Sequence, residues 1–341
     1  MVAAYPLTCN PMTVILFGEA LIDSFPDADV LGGAPFNVAC ALGAFGTPAL
    51  LVSAVGLDDG AATIRGAMRR FGLDERGLQT DPFHPTGRVA VELSEEGHRF
   101  DILSNQAYDH IDGAKAMLAV AAGPKPQILY FGTMGQRHEV SRAGMKHVFE
   151  QVPATRFLDA NLREGTYTLE LVAASLKQAD ILKVNESELL FLLAQFVAPG
   201  ADFIVRFDAG MLGSPLLPAL QSLLDQFSLQ SLVITLGERG YAYLDRMGRM
   251  IADDTPAAAP DVLDTVGCGD GFSAVFLHGM QKGWAIEICL ARARRFASGI
   301  CGLRGGVAPD LAFYETHLAQ WAEEDKNEDK DEREHKHERN P

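Results

Sequence analysis

The stretch Asp264-Thr265-Val266-Gly267-Cys268-Gly269-Asp270 leads directly into a helix-like run at residues 271–279. A glycine-rich turn at a helix N-terminus directs several backbone N–H groups and the positive end of the helix dipole at one point. A phosphoryl group in transfer can sit there, and Asp270 can then take the proton of an attacking hydroxyl group. Asp is also a common helix N-cap, which is the simpler interpretation of Asp270. Three features favour the anion site over the N-cap interpretation. They are the two glycines, the preceding Asp-Thr pair and a second motif of the same kind earlier in the chain.

Short apolar runs alternate with amphipathic stretches along most of the chain. The runs that we predict to be buried strands lie at residues 13–18, 49–55, 127–131, 156–159, 180–184 and 231–236. Helical patterns follow most of them; at residues 33–45, Pro35 suits a first turn and apolar residues recur at helical spacing. This alternation predicts an α/β fold, a three-layer sandwich whose central sheet is mainly parallel.

One segment breaks this rhythm, because residues 87–93 and 98–103 alternate apolar and polar side chains around the turn Glu95-Glu96-Gly97. Such alternation is typical of a hairpin with one exposed face. The hairpin is interpreted as a lid, as a surface for a homodimer, or as an ordinary sheet edge.

The chain is therefore expected to form one domain at residues 13–322, with lid elements near 23–32 and 87–103. Residues 1–12 are a leader without Lys or Arg, which does not support a secretory signal. Residues 323–341 are almost entirely charged or polar and are predicted to be a disordered tail.

The composition limits the function classes. The 341 residues carry a formal net charge of −16, which argues against a broad surface for nucleic acid or an anionic membrane. No apolar run reaches transmembrane length. The cysteines are odd in number and form no C-x-x-C pair, so we predict a reducing, cytoplasmic location and no structural zinc. They are Cys9, Cys40, Cys268, Cys289 and Cys301.

Polar residues follow two predicted elements near the N-terminus. Asp23 lies beyond the first strand, where ligands bind in open α/β sheets, and Asn37 lies in the helix that Gly32-Gly33 opens. A carboxylate and an amide together suit a polyhydroxylated ligand, because sugar hydroxyls need donors and acceptors. Each residue alone could equally be a satisfied polar group at an element end.

Two further motifs follow later strands. Asn185 and Glu188 have the spacing of a capping box, but an amide and a carboxylate at a strand end could equally order the waters of Mg²⁺. Thr235-Leu236-Gly237 closes another strand before Gly240, where a tight turn would let a nucleotide approach the backbone.

Together these motifs resemble the ribokinase-like, or PfkB-type, carbohydrate kinase family over residues 12–322. Residues 32–39 and 42–46 match the first family signature, and residues 264–270 with 272–274 match the second. The resemblance implies the general base Asp270 and an anion hole formed by the amides of Gly267, Cys268 and Gly269. Cys268 stands where the family usually has Ala, which a hole made of backbone N–H groups should tolerate.

The resemblance also assigns the ligands. Asp23, Gly33 and Asn37 would hold the sugar, and Arg163 would reach the substrate or the phosphates unless it forms a surface ion pair. Asn185 and Glu188 would organise Mg²⁺ and its waters. Thr235 and Gly237 would line the ATP site with Asn185. Asp264 and the Val266 carbonyl would begin a loop for a monovalent cation, K⁺, unless Asp264 only stabilises a turn.

Within the family the similarity is greatest to fructokinase-type members, on residues 86–91, 100–102, 107–111 and 161–163. It implies ATP-dependent phosphorylation of a primary hydroxyl of a free sugar, with fructose expected. Kinases for ribose, 2-keto-3-deoxygluconate or adenosine remain alternatives, as does a fructokinase-like scaffold without turnover. The residues 206–214 follow no family pattern and leave the adenine side undetermined.

Overall fold

The computed structural model describes residues 13–94, 97–208, 211–212, 216–255 and 262–338. The predicted leader at residues 1–12, the hairpin turn at 95–96 and part of the segment 206–214 lie outside the described residues. Across the described residues, none of the helices combines the length and apolarity that crossing a bilayer requires.

The strands are β1 (Thr13–Phe17), β2 (Leu21–Ser24), β3 (Asp29–Gly32), β4 (Ala49–Val55), β5 (Leu78–Thr80), β6 (Gly87–Ser94), β7 (Gly97–Ile102), β8 (Pro126–Phe131), β9 (Thr155–Asp159), β10 (Ile181–Asn185), β11 (Phe207–Asp208), β12 (Met211–Leu212), β13 (Ser231–Thr235), β14 (Tyr241–Asp245) and β15 (Met250–Asp253). The α-helices are α1 (Ala34–Ala44), α2 (Asp59–Arg70), α3 (Gly113–Ala121), α4 (Glu139–Gln151), α5 (Leu169–Gln178), α6 (Glu186–Leu192), α7 (Leu216–Phe227), α8 (Cys268–Lys282), α9 (Ile286–Ile300) and α10 (Leu311–Glu338).

The central sheet has nine strands in the order β15-β14-β13-β10-β9-β8-β1-β4-β5. The strands from β13 to β5 pair in parallel, while β14 and β15 extend one edge in antiparallel pairing. The carboxyl ends of the parallel strands therefore share one edge of the sheet, where ligands bind in open α/β folds. The predicted mainly parallel sheet is confirmed.

Helices cover both faces of this sheet because alternate side chains of each strand point to opposite sides. Val14 and Leu16 join the cluster that contains buried residues of α1, α2, α8, α9 and α10. Ile15 and Phe17 join the cluster formed with α3, α4, α5, α6 and α7. These two apolar layers hold the three-layer sandwich together and fix the positions of the strand ends.

A separate four-stranded sheet has the order β3-β2-β6-β7 and confirms the predicted lid sheet. Strands β2 and β6 pair in parallel and the other neighbours are antiparallel. A small apolar cluster that includes Leu21, Val89 and Tyr108 lies beneath it. The predicted lid segment at residues 23–32 contributes β3 and half of β2. Leu21 and Gly32 pair across these strands, which shows how little sequence a tight hairpin needs.

The prediction of a disordered tail is wrong for residues 323–338, because α10 runs without a break from Leu311 to Glu338, and residues 339–341 lie outside the described residues. Trp321 is only 2% exposed and anchors the helix in the core. The first charged residues beyond it are paired: Arg292 Nε lies 3.1 Å from Glu324 Oε2 and its Nη2 lies 2.6 Å from Asp325 Oδ1. Glu and Lys are strong helix formers, so a helix already started by packing continues through this region.

Candidate active site

The N-termini of α1 and α8 meet at the carboxyl edge of the sheet. Each helix has a glycine at its N-cap with a positive φ, 100° for Gly33 and 79° for Gly267. Asn37 Nδ2, one turn into α1, donates a hydrogen bond of 2.8 Å to Asp270 Oδ2 in the first turn of α8. The two sequence motifs, more than two hundred residues apart, therefore form one site.

Both N-cap glycines are required by space as well as by φ. A Cβ on Gly33 would lie 2.6 Å from the Glu19 carbonyl oxygen, and a Cβ on Gly267 would collide with the backbone of Gly306. Any side chain at these positions would move a helix end. The two glycines thus let β1 and the segment after α9 approach the site closely.

Asp270 is the third residue of α8 and is not its N-cap, so the cap interpretation is wrong. Burial raises the pKa of Asp270 above its ordinary value, and the Asp159 carboxylate raises it further. The Asn37 hydrogen bond and the charges of Lys183 and Arg163 oppose this shift. A carboxylate with a raised pKa is better matched to accepting a proton near neutral pH.

The turn before α8 presents backbone donors. Cys268, Gly269 and Asp270 occupy the first three positions of α8, where N–H groups have no partner within the helix. The Gly271 N–H makes the first helical bond, to the Gly267 carbonyl at 2.8 Å. The Cys268 N–H lies 3.4 Å from the Thr265 carbonyl, a long contact that holds this donor within the turn. Gly267, Cys268 and Gly269 thus lie where the sequence places an anion hole.

The side chain of Asp264 stabilises this turn through two hydrogen bonds. Its Oδ1 accepts the Val266 N–H at 2.9 Å and its Oδ2 accepts the Gly305 N–H at 3.1 Å. The first bond is the turn-stabilising role that the sequence allowed, and the second joins the turn to a segment forty-one residues away. The carboxylate is buried at 7% exposure, and each oxygen retains a lone pair for a cation.

Asp23 lies on β2 at the lid side of the site and is 8% exposed. Burial, and then repulsion by Asp270, raises the pKa of Asp23 to about 7. Asn37 Oδ1 is buried and has no hydrogen-bond partner among the described residues. A ligand with hydroxyl donors would satisfy this buried acceptor.

Arg163 follows β9 and is exposed. It forms no ion pair among the described residues, so the alternative of a surface ion pair is not seen. Its charge lowers the pKa values of Glu19, Asp23 and Asp270. Arg163 therefore carries its charge close enough to these carboxylates to favour their ionised forms.

Asn185 and Glu188 form a capping box at the start of α6. Asn185 Oδ1 accepts the Glu188 N–H at 2.9 Å and the Ser187 hydroxyl at 2.7 Å, which uses both of its lone pairs. Direct binding of a metal ion by Asn185 Oδ1 therefore does not fit. The Glu188 oxygens accept the N–H groups of Leu162 and Asn185 and each keeps a lone pair, so Glu188 can still hold metal-bound water.

Thr235 ends β13 next to Asn185 in the sheet register, and Gly237 follows in the turn after the strand. The Thr235 hydroxyl donates to the Val184 carbonyl at 3.4 Å. No atom lies within 4 Å of a Cβ placed on Gly237, so this side of the turn is open. The missing side chain of Gly240, which follows in the same turn, makes room for the Asp253 carbonyl.

Sequence reasoning missed a buried polar network beneath the anion hole. Asp159 Oδ2 accepts hydrogen bonds from Lys183 Nζ at 2.8 Å, Ser273 Oγ at 2.8 Å and Tyr130 Oη at 3.1 Å. A Cβ on Gly269 would lie 3.3 Å from Lys183 Nζ. Lys183 thus brings a positive charge close to the first turn of α8. The sequence signal for this network was a single Lys within the otherwise uncharged strand ILKVN.

Glu19 was also missed. Its Oε1 accepts the Ala34 N–H at 3.2 Å, while its buried Oε2 has no partner among the described residues. Burial raises the pKa of Glu19 to about 7, with the Asp270 charge contributing in the same direction. In the described part of the chain, no three His, Cys, Asp or Glu side chains gather as a metal cluster.

Replacing Glu19 by glutamine is expected to stabilise the fold at alkaline pH. The pKa of Glu19 rises from 4.5 to about 7 on folding, so wild-type stability falls as the pH rises through this interval. The variant should gain on the order of 3 kcal/mol near pH 8 and less than about 1 kcal/mol near pH 5. Urea unfolding at both pH values measures the difference, with exposed Glu139→Gln as control. An equal gain in unfolding free energy at pH 5 and pH 8 would contradict a raised pKa of Glu19.

Comparison with known proteins supplies independent findings. The model of the family described as pfkB family carbohydrate kinase matches residues 28–311. A probable fructokinase-3 of Arabidopsis thaliana is 27% identical over 316 residues, covering 85% of this chain and 84% of the relative. Among solved structures, a fructokinase double mutant from Vibrio cholerae O395, in fructose, ADP and potassium ion bound form, has a TM-score of 0.71 at 22% identity and covers 90% of this chain and 98% of its own.

Another solved structure with this fold is the aminoimidazole riboside kinase from Salmonella enterica, complexed with aminoimidazole riboside and an ATP analog. Its TM-score is 0.70 at 21% identity, and the match covers 90% of this chain and 99% of that chain. At these identities the structural matches establish the fold alone, and they confirm the ribokinase-like architecture expected from the sequence.

Proposed function

Because the chain belongs to the pfkB family of carbohydrate kinases, we propose that it transfers the γ-phosphoryl group of ATP to a primary hydroxyl of free fructose. The observation that carries this proposal is the 2.8 Å bond between Asn37 Nδ2 and Asp270 Oδ2. It couples a helix suited to sugar binding to the carboxylate at the anion hole. Relatives described as fructokinases support the choice of sugar.

In the proposed reaction the sugar hydroxyl oxygen attacks the γ-phosphorus of ATP and ADP leaves on the opposite side. Asp270 takes the hydroxyl proton, and the N–H groups of Gly267, Cys268 and Gly269 hold the oxygens of the transferred group. Asn37 orients the Asp270 carboxylate and also presents its own free Oδ1 to the sugar. Arg163 would meet the phosphates from the open side, and Thr235 and Gly237 would line the nucleotide.

Two cations belong to the proposal. Mg²⁺ would neutralise phosphate charge, and the free lone pairs of Glu188 suit the waters that this ion keeps. Asp264 has the buried carboxylate expected of a monovalent-cation loop, with the Val266 carbonyl beside it, so K⁺ is the proposed second ion. The homodimer through the lid and the cytoplasmic location stay predictions.

The lid argues for a free sugar rather than a sugar phosphate. Arg88 Nη1 donates to Ser24 Oγ at 2.6 Å and pairs with Asp29 at 3.1 Å. Its charge is thus already matched within the lid. Arg99 has a side chain outside the described residues. Arg163, which forms no ion pair among the described residues, would then have to serve both a second phosphate on the substrate and the ATP phosphates.

A coupled ADP-release assay with Mg²⁺ and K⁺ tests the function. Among fructose, ribose, 2-keto-3-deoxygluconate, adenosine and fructose 1-phosphate, we expect fructose to have the highest kcat/KM, by roughly 10-fold or more. A site built to pair buried acceptors with hydroxyls leaves them unsatisfied when a hydroxyl is missing or inverted.

The matched variants are Asp23→Ala, which should raise the KM for fructose, and Asp27→Ala, which should not. Asp27 is an exposed carboxylate of the same lid segment and pairs with Arg304 at 2.8 Å. A higher kcat/KM with another member of the panel would replace fructose while keeping the kinase. ATP binding without ADP release from any of the five would favour the scaffold alternative.

A further inference from the structure

Two of the five cysteines meet at the anion hole, which the sequence did not reveal. Cys268 opens α8 and Cys301 follows α9, thirty-three residues later, and the structure joins their sulfurs as a disulfide. Their Cα atoms are 5.9 Å apart, within the ordinary range for this bond. We propose that Cys268 and Cys301 form a reversible dithiol–disulfide site that slows phosphoryl transfer when it is oxidised.

The bond would join two segments that already contact each other around the turn. The N–H groups of Leu263 and Asp264 both donate to the Cys301 carbonyl, at 2.9 and 3.2 Å. Gly305, four residues beyond Cys301, donates to Asp264 Oδ2. Gly306 packs against Gly267 and against the Asn37 amide. A cross-link between residues 268 and 301 therefore acts on the anion hole and on the residues that orient Asp270.

The pair is accessible where the other described cysteines are not. Cys268 and Cys301 are both partly exposed, and their neighbours Val262 and Leu263 are 60% and 68% exposed. Cys40 and Cys289 are free thiols with 0% exposure. A small-molecule oxidant thus reaches the pair at the anion hole and does not reach the buried thiols.

The oxidant class is a low-molecular-weight disulfide such as oxidised glutathione. One of the two cysteine sulfurs attacks a glutathione sulfur, so that a mixed disulfide forms and one glutathione thiolate leaves. The second cysteine then attacks the protein sulfur of the mixed disulfide and releases the second glutathione. The protein loses two electrons and two protons, and one oxidised glutathione becomes two reduced ones.

The direction of the effect follows from the Cys268 amide, and this step rests on the proposed function. With the sulfurs joined, this N–H lies 3.4 Å from the Thr265 carbonyl, a partner that competes with a phosphate oxygen for the same donor. The loss of an anion-hole donor typically costs about 10²–10³ in kcat. Because the donor is tethered and not deleted, we expect roughly a 10-fold lower kcat in the oxidised enzyme, restored by dithiothreitol.

The experiment treats the full-length enzyme with oxidised or reduced glutathione and measures peptide masses together with kcat. A cross-linked peptide pair containing Cys268 and Cys301 and a slower oxidised enzyme support the proposal. Cys301→Ser should have the kcat of the reduced wild type in both buffers. Cys40→Ala, a buried thiol of the described chain, should respond as the wild type does.

Three results would overturn the proposal: both thiols staying reduced in the oxidised buffer, equal kcat for the two forms, or a Cys301→Ser variant that still slows on oxidation. The peptide masses show whether Cys268 and Cys301 become cross-linked, whether or not the enzyme turns over. Failure of the proposed kinase activity would appear as no turnover in the reduced enzyme, whereas failure of the redox site leaves that turnover intact.

Discussion

Replacement of Asp270 by asparagine is expected to lower kcat by about 10²-fold or more and to leave the affinity for ATP nearly unchanged. The amide has the size of the carboxylate and can still accept a hydrogen bond from Asn37. It cannot take the proton of the sugar hydroxyl. Coupled ADP release gives kcat, and calorimetry with ATP alone gives the dissociation constant.

The control for this variant is Asp59→Asn, which changes an exposed carboxylate in the first turn of α2. It should keep wild-type kcat. Because burial raises the pKa of Asp270, wild-type activity should also fall as the pH drops through that pKa. Near-normal turnover by Asp270→Asn would remove the carboxylate from the mechanism. Normal turnover with reduced stability would show that Asp270 serves only the helix.

Replacement of Lys183 by methionine is expected to destabilise the fold by about 3–5 kcal/mol, because it leaves the buried Asp159 carboxylate without its cation. Both side chains are nearly inaccessible, with 6% and 4% exposed. The uncompensated charge of Asp159 should also push the pKa of Asp270 higher, so the pH profile of kcat should move to higher pH. Urea unfolding and a pH–rate series measure the two effects.

Lys146→Met provides the matched control, since Lys146 pairs with Glu150 at 3.6 Å on the surface with 70% of its side chain exposed. Such pairs contribute about 1 kcal/mol or less. The double variant Lys183→Met with Asp159→Asn should recover part of the lost stability. A stability loss without any movement of the pH profile would limit Lys183 to a structural role.

A structural feature could be predicted from the sequence where it depends on residues that are neighbours in the chain. Six of the nine strands of the central sheet could be predicted, because a parallel strand covered on both faces is a short apolar run, as at Ala49–Val55. Strands β5, β14 and β15 were not predicted, and they lie toward the two edges of the sheet. The turn before α8 could be predicted because two glycines and an Asp directly precede a helical pattern in the sequence. Asp270 and Asn37 could be assigned to one site only through the family resemblance, since nothing local connects residues so far apart.

Other features depend on contacts that residue spacing does not encode. The three donors to Asp159 come from three different elements, and the Cys268–Cys301 pair depends on how α9 returns to the turn. The capping box at Asn185 fitted two interpretations until its hydrogen bonds were seen. The charged end of α10 looked disordered because the pairing of Arg292 with Glu324 and Asp325 is tertiary.

The central claim is transfer of a phosphoryl group from ATP to a primary sugar hydroxyl, and phosphorus NMR of the product formed from ATP and fructose tests it most directly. A phosphate on a CH₂–O group couples to two protons, so we predict a new triplet that grows with ADP and is absent on the same timescale with Asp270→Asn. A doublet would place the phosphate on a secondary carbon. ADP with inorganic phosphate as the sole new phosphorus signal would mean hydrolysis, and either result would contradict the claim.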